Sequence, residues 1–166
     1  EGLKESHPDE KLRYKKIVEE CLYFSDINPT NIFICKLLID PHDEYQLNYH
    51  VGDTLELDIQ DNWGIDGFDA IIGNPPYQLK VGPKKTHPIW NLFTKKCLDE
   101  LLDDGYLLFV HPSGWREAGG AFRDVYTKIR SKNLIYLNMN DFKKGQEVFK
   151  QGTNFDYYLV QNNSNQ

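Results

Sequence analysis

Two short apolar runs, each halted by proline, constrain the fold most: "FDAIIGNPPY" over Phe68–Tyr77 and "YLLFVHP" over Tyr106–Pro112. About five residues is too short for a helix and right for a strand, and a strand apolar at nearly every position is buried on both faces. Such strands belong to parallel sheets, whose crossovers are helices. The rest of the sequence supplies them. Helical patterns fall at Lys11–Glu20, Pro29–Ile39, Ile89–Leu102 and Ala121–Ser131; further strands fall at Leu22–Asp26, Tyr45–Val51, Leu134–Asn138 and Phe155–Val160. Asn28-Pro29 reads as a cap and first turn. In Ile89–Leu102, Trp90, Phe93, Cys97, Leu98 and Leu101 recur at helical spacing. The alternation predicts an α/β fold, a mostly parallel sheet with helices on both faces.

At 166 residues and 40% hydrophobic content the chain is long enough for one domain with a real core. Its formal charge of -6 argues against a freestanding basic nucleic-acid binder. The charge is uneven, though: Gln78 to Lys96 holds Lys80, Lys84, Lys85, Lys95 and Lys96 and no acid. That run is either a solvated face or a phosphate-binding one. Cys21, Cys35 and Cys97 are odd in number and set in apolar surroundings, which fits reduced thiols of a cytoplasmic protein. The five histidines lack metal-ligand spacing, so no metal is expected. No apolar run approaches the length of a membrane span, so no membrane partner is expected.

In open α/β sheets, ligands bind off the carboxyl ends of the strands. Three candidates fall there: Asp26, Asp53 and the tetrapeptide Asn74-Pro75-Pro76-Tyr77. Asp26 reads equally as a helix cap and Asp53 as a turn residue. A rigid strand exit explains the prolines, but neither the carboxamide nor the ring.

"NPPY" after a buried strand resembles the catalytic loop of class I S-adenosylmethionine-dependent amino-methyltransferases, above all the adenine-N6 DNA methyltransferases of restriction–modification systems. "YFSDINPTNIFICKLLI" is similar to the family's second strand and helix, and "HVGDTLELD" to its next motif. "IWNLFTKKCLDELLDDGYLLFVHPSGW" is similar to the unit after the catalytic loop, and "EVFKQGTNFDYYLV" to a late motif that lends an aromatic to the target-base pocket. The resemblance implies a Rossmann-like sheet with an antiparallel last strand. It also implies S-adenosyl-L-methionine as cofactor, held by Asp26 with Ile27 at the ribose and Asp53 with Thr54 at the adenine, Asn74 adjoining. DNA is the implied partner, its target base flipped out and held by Tyr77 and Phe149, with Lys80, Lys84 and Lys85 on phosphates. Phe149 reads otherwise as a core residue before the last strand, and Phe142 is its rival.

The family's first motif, a strand with a Gly-rich turn, has no counterpart: "EGLKESHPDE" precedes Lys11. That strand would lie centrally, between those ending at Asp26 and Asn74. With a start at Glu1, this leads us to expect a single, partial catalytic domain over 1–166 lacking a target-recognition domain, which is supplied elsewhere together with a fused or associated endonuclease.

The tetrapeptide then has a chemical reason. The exocyclic amine of adenine is a poor nucleophile because its lone pair is delocalised into the ring. Acceptance of its hydrogens by the Asn74 carboxamide and the Pro75 carbonyl favours a more tetrahedral nitrogen. The prolines keep both acceptors preorganised. A glutamine side-chain amide or an RNA base poses the same problem, so protein-glutamine and RNA methyltransferases stay open, as does a non-catalytic remnant. The lysines favour nucleic acid.

Overall fold

The computed structural model describes residues 2–83 and 85–164. They fall into two compact units, Glu1–Gly64 and Ile65–Gln166, where the sequence suggests one domain.

The first unit opens with helices α1 (Gly2–Ser6) and α2 (Glu10–Lys16). Asp9 caps α2 by accepting from the Leu12 amide. The chain continues as a π-helical turn, Ile17–Cys21, into β1 (Tyr23–Asp26), α3 (Pro29–Ile39), β2 (Asn48–Val51) and α4 (Ile59–Trp63). Asn28 accepts from the Thr30 amide and Pro29 sets the first turn, as the sequence predicts for α3. β1 and β2 pair in parallel, Tyr23 opposite Asn48 and Asp26 opposite Val51, so both strands end at one level. Val18, Ile32, Leu57 and Ile59 are buried, whereas Phe33, Ile34, Leu37 and Leu38 along α3 are exposed.

The second unit runs β3 (Phe68–Gly73), β4 (Gln78–Lys80), β5 (Thr86–Pro88), α5 (Trp90–Asp99), β6 (Leu101–Pro112), a 3-10 turn (Ser113–Arg116), α6 (Arg123–Arg130), β7 (Lys132–Asn140), α7 (Phe142–Phe149) and β8 (Phe155–Ser164). Its main sheet has the order β3-β6-β8-β7. β3 and β6 are parallel, and β8 runs antiparallel to both its neighbours, so the expected antiparallel last strand is present. Among the described strands, β1 pairs only with β2, and β3 only with β6.

α5 buries Trp90, Thr94, Cys97 and Leu98, a stripe at helical spacing, and α6 adds Val125 and Ile129. With Leu107, Phe109, Tyr158 and Val160 of the sheet they make one core. Truncating a side chain as enclosed as Leu98 to alanine costs about 2–5 kcal/mol. The opposite face of the sheet keeps Ile72, Tyr106 and Leu108 exposed.

Several segments depart from the pattern read in the sequence: α4 is an added helix, the Tyr45–Val51 strand shortens to Asn48–Val51, and the Lys11–Glu20 helix turns π-helical at Ile17. α5 stops at Asp99 rather than Leu102, because β6 begins at Leu101. A bulge between Leu101 and Tyr106 lets Phe68 pair with Leu101 and Ala70 with Tyr106, with Asp104 at φ 62. β4 and β5 form a hairpin where the sequence shows no alternation. α7, capped by Asp141 through the Lys144 amide and closed by Lys150 at φ 57, fills a stretch that reads as irregular.

Candidate active site

In the first unit the strand ends carry a polar cluster. The Asp26 side chain accepts from the Asn28 amide (2.7 Å) through Oδ1 and from the Asn31 side chain (2.9 Å) through Oδ2. It therefore does shape the entry to α3, the capping reading, while its two oxygens keep acceptor capacity for further donors. The Gly52 amide donates to the Asp26 carbonyl (3.1 Å), and the Ser25 and Thr54 hydroxyls share a hydrogen bond of 2.8 Å. These bonds tie the two strand ends together. Asp53 is exposed and accepts from the Leu55 amide at 2.9 Å, as a turn residue does, leaving Oδ2 open to solvent-side donors. Ile27 beside Asp26 is 72% exposed, an apolar surface where solvation alone would favour a polar residue. Ser25 and Gly52 were not singled out from the sequence; Gly52 follows from its crowding, since a Cβ there would lie 2.5 Å from the His50 ring.

In the second unit the rim is formed by the carboxyl ends of β3, β6 and β7 and the start of β8. Asn74 leaves β3 exposed, Pro75 is buried, Pro76 exposed and Tyr77 half-buried. Among the described residues no hydrogen bond engages the Asn74 carboxamide, so its oxygen is free to accept. The Tyr77 carbonyl accepts from the Ile89 amide (3.1 Å), which closes the β4–β5 hairpin onto the loop. The Tyr77 hydroxyl is buried with no hydrogen-bond partner among the described residues, and burial raises its pKa. Lys80 and Lys85 lie exposed on that hairpin; Lys84 lies outside the described residues.

Phe149, at the end of α7, meets Tyr77 edge to face with ring centroids 6.2 Å apart and planes at 80°. Its ring also packs on Phe155 at 4.8 Å. The two residues expected to flank a base are thus neighbours, but in mutual contact rather than as parallel plates around a slot. α7 is held there by Gly145, where a Cβ would sit 2.0 Å from the Thr153 carbonyl oxygen. Phe142, the rival, is 62% exposed and lies over Gly152, whose missing side chain makes room for its ring.

Behind the rim lies a buried network that the sequence does not advertise. His111 stacks on Trp90 at 4.4 Å, accepts from the Tyr158 hydroxyl at Nε2 (2.8 Å) and faces the Pro112 carbonyl with Nδ1 (2.9 Å). A carbonyl only accepts, so Nδ1 carries a proton. Burial pushes the ring's pKa down to about 4, so near neutral pH it is uncharged and Nε2 is the acceptor. Asp156, fully buried, accepts from the Trp115 indole (3.0 Å) and pairs with the Arg116 guanidinium (3.2 Å), both through Oδ2. Burial raises the Asp156 pKa, and the Arg116 charge and Trp115 hydrogen bond oppose that shift. Among the described residues no cluster of three or more potential metal ligands occurs, and no helix is long and apolar enough to cross a membrane.

A family model described as Eco57I restriction-modification methylase matches residues 20–149. An uncharacterized adenine-specific methylase of Mycoplasma pneumoniae is 31% identical over 119 residues, covering 67% of this chain and 28% of the relative. Among solved structures, the M protein of the type I restriction enzyme EcoKI superposes with a TM-score of 0.67 at 15% identity, covering 92% of this chain and 33% of that one. The type I restriction-modification methyltransferase subunit of Streptococcus thermophilus gives 0.61 at 16% identity, covering 87% and 35%. These superpositions show the fold. The chain spans well under a third of the length of the Mycoplasma relative.

Proposed function

The chain belongs to the Eco57I restriction-modification methylase family, and we propose that it carries the catalytic face of an S-adenosylmethionine-dependent methyltransferase acting on the exocyclic N6 amine of adenine in DNA. The observation that carries the reading is Asn74: an exposed carboxamide, uncommitted among the described residues, immediately after strand β3 and followed by two prolines and a ring.

The residues of the first unit fit the cofactor. Asp26 has acceptor capacity for ribose hydroxyls, Asp53 for an adenine amine, and exposed Ile27 offers an apolar surface for a ring. Thr54, hydrogen-bonded to Ser25, holds the turn that presents Asp53. Bound S-adenosylmethionine supplies an electrophilic methyl.

The chain's own residues prepare the nucleophile. The Asn74 oxygen and the Pro75 carbonyl accept the two hydrogens of the amine, drawing its lone pair out of conjugation. Fixed φ at Pro75 and Pro76 keeps these acceptors from reorganising during reaction. Tyr77 supplies a ring face for a base that has left the duplex. Stacking the base on Tyr77 requires Phe149 to swing from its edge-to-face contact, or to leave the base one ring only.

We read both units as parts of one catalytic domain in a cytoplasmic protein, working with a target-recognition domain and an endonuclease. Methyl transfer from labelled cofactor by the full-length protein, offered duplex DNA, single-stranded RNA and a glutamine-containing peptide, tests the reading. Label appearing in N6-methyladenine from duplex DNA is expected. Label confined to RNA or to glutamine would replace the substrate assignment.

A further inference from the structure

Arg116 sits in the 3-10 turn directly after β6, and β6 runs parallel to β3, with Phe109 opposite Gly73. The turn and the Asn74 loop therefore leave the same rim of the second unit. The Ser113 amide donates to the Asn154 carbonyl (3.2 Å), which fastens this turn to the segment between Phe149 and Phe155. Arg116 is thus anchored beside the elements that carry Asn74, Tyr77 and Phe149.

The anchor is unusual in its chemistry. Asp156 is fully buried; its Oδ2 accepts from the Trp115 indole and forms an ion pair with the Arg116 Nε at 3.2 Å, while Oδ1 is buried with no hydrogen-bond partner among the described residues. A buried carboxylate with one unsatisfied oxygen is a poor stabilising device, because desolvation outweighs what one shared oxygen returns. What the arrangement does achieve is a tether. The ion pair at Nε holds the guanidinium beside Asp156 and leaves its Nη groups for other partners. The Arg116 side chain remains 38% exposed. Nη1 meets only the Met139 thioether at 3.1 Å, a weak acceptor, and no described oxygen. A tethered, partly exposed guanidinium whose Nη groups meet no described oxygen can take a phosphate through paired N–H groups. Surface lysines such as Lys80 and Lys85 offer charge without a guanidinium fork or a buried tether.

We propose that Arg116 is a phosphate-binding residue, that Asp156 is the positioning residue which orients it, and that its ligand is a backbone phosphate of the nucleic acid entering the Asn74 rim. The identity of that nucleic acid as the substrate duplex rests on the adenine-methyltransferase reading; the phosphate chemistry rests on Arg116 itself.

The test measures binding of a fluorescein-labelled duplex by the full-length protein over a series of KCl concentrations, alongside methyl transfer. The paired variant Arg116→Gln with Asp156→Asn removes both charges together and leaves no unpaired buried carboxylate. It is expected to bind about tenfold more weakly and to lower the slope of log Kd against log[KCl] by about 0.9, the loss of one phosphate contact. Asp156→Asn alone keeps the cation but frees it, so affinity falls while the slope stays. Arg116→Lys keeps the slope and weakens binding severalfold, since a point charge replaces a fork. Unchanged affinity and slope in the paired variant would overturn the proposal, as would a wild-type protein that binds no duplex. If the paired variant does not fold, neutral methylphosphonate linkages placed one at a time decide the matter. One position should weaken wild type far more than Arg116→Lys, and the absence of any such position overturns the assignment. Wild type that binds with the expected slope yet methylates nothing would instead count against the methyltransferase reading alone.

Discussion

Replacing Tyr77 with phenylalanine separates what its ring does from what its hydroxyl does. The hydroxyl is buried with no hydrogen-bond partner among the described residues, and burial raises its pKa. In the unfolded chain it is hydrated, so folding strips water from it and returns nothing. A buried unsatisfied polar group costs about 1–3 kcal/mol. Because the Tyr77 residue as a whole is only half-buried, the lower end applies, about 1 kcal/mol. Tyr77→Phe is therefore expected to stabilise the second unit, raising its Tm by about 4–8 °C for a unit of this size. The ring face and the edge contact with Phe149 persist, so methyl transfer should remain within a few fold of wild type. Tyr77→Ala removes the face as well, and loses about 1–3 kcal/mol of base stacking. Calorimetry and steady-state methyl transfer on the three proteins provide the comparison. A lower Tm for Tyr77→Phe, or a tenfold fall in its turnover, would show that the hydroxyl has a partner and would refute the reasoning.

Asp26→Ala and Asp53→Ala should each weaken cofactor binding in a calorimetric titration, and unchanged dissociation constants in both would mean the pocket lies elsewhere. Phe149→Ala removes ring contacts to both Tyr77 and Phe155, so thermal denaturation should show a loss of about 2 kcal/mol together with slower methylation; slowing without destabilisation would mean the packing contributes little. His111 titrates near 6.5 when unfolded and at about 4 when folded, so the unfolded state binds the proton first as pH falls. Its contribution is intact above about 6.5 and fades between there and about 4, by roughly 3 kcal/mol. Asp156, with its raised pKa, works the opposite way, so the comparison is with His111→Phe, which keeps a ring on Trp90 and should flatten the acid slope of Tm.

The apolar runs at Phe68 and Tyr106 locate β3 and β6 because a short apolar run halted by proline suits a strand. The burial on both faces that their composition implies is not found: the face carrying Ile72, Tyr106 and Leu108 stays exposed. Asn28-Pro29 locates α3 because the cap is local chemistry. What escaped depends on distant partners. The Asp-Asp-Gly stretch before Tyr106 reads as the turn between a helix and a strand, yet Gly105 lies in a bulge of one long strand, its Cα so near the Phe68 carbonyl oxygen that a Cβ would sit at 2.8 Å. α7 escaped because Gly145 lowers helix propensity, and only the approach of Thr153 explains that glycine. At the site, Asn74 and Tyr77 were legible as a contiguous tetrapeptide. Trp115, Arg116 and Asp156 were not, because about 40 residues separate partners that meet only when β6 pairs with β8.

The account turns on Asn74 accepting hydrogen bonds from the reacting amine. The most direct measurement is the single-turnover rate of methyl transfer to duplex DNA by full-length Asn74→Ala, taken alongside its cofactor dissociation constant. Loss of a preorganised acceptor at the reacting centre predicts a rate lower by about 10²-fold or more, with cofactor affinity within a few fold of wild type. A variant that methylates at close to the wild-type rate would contradict the account.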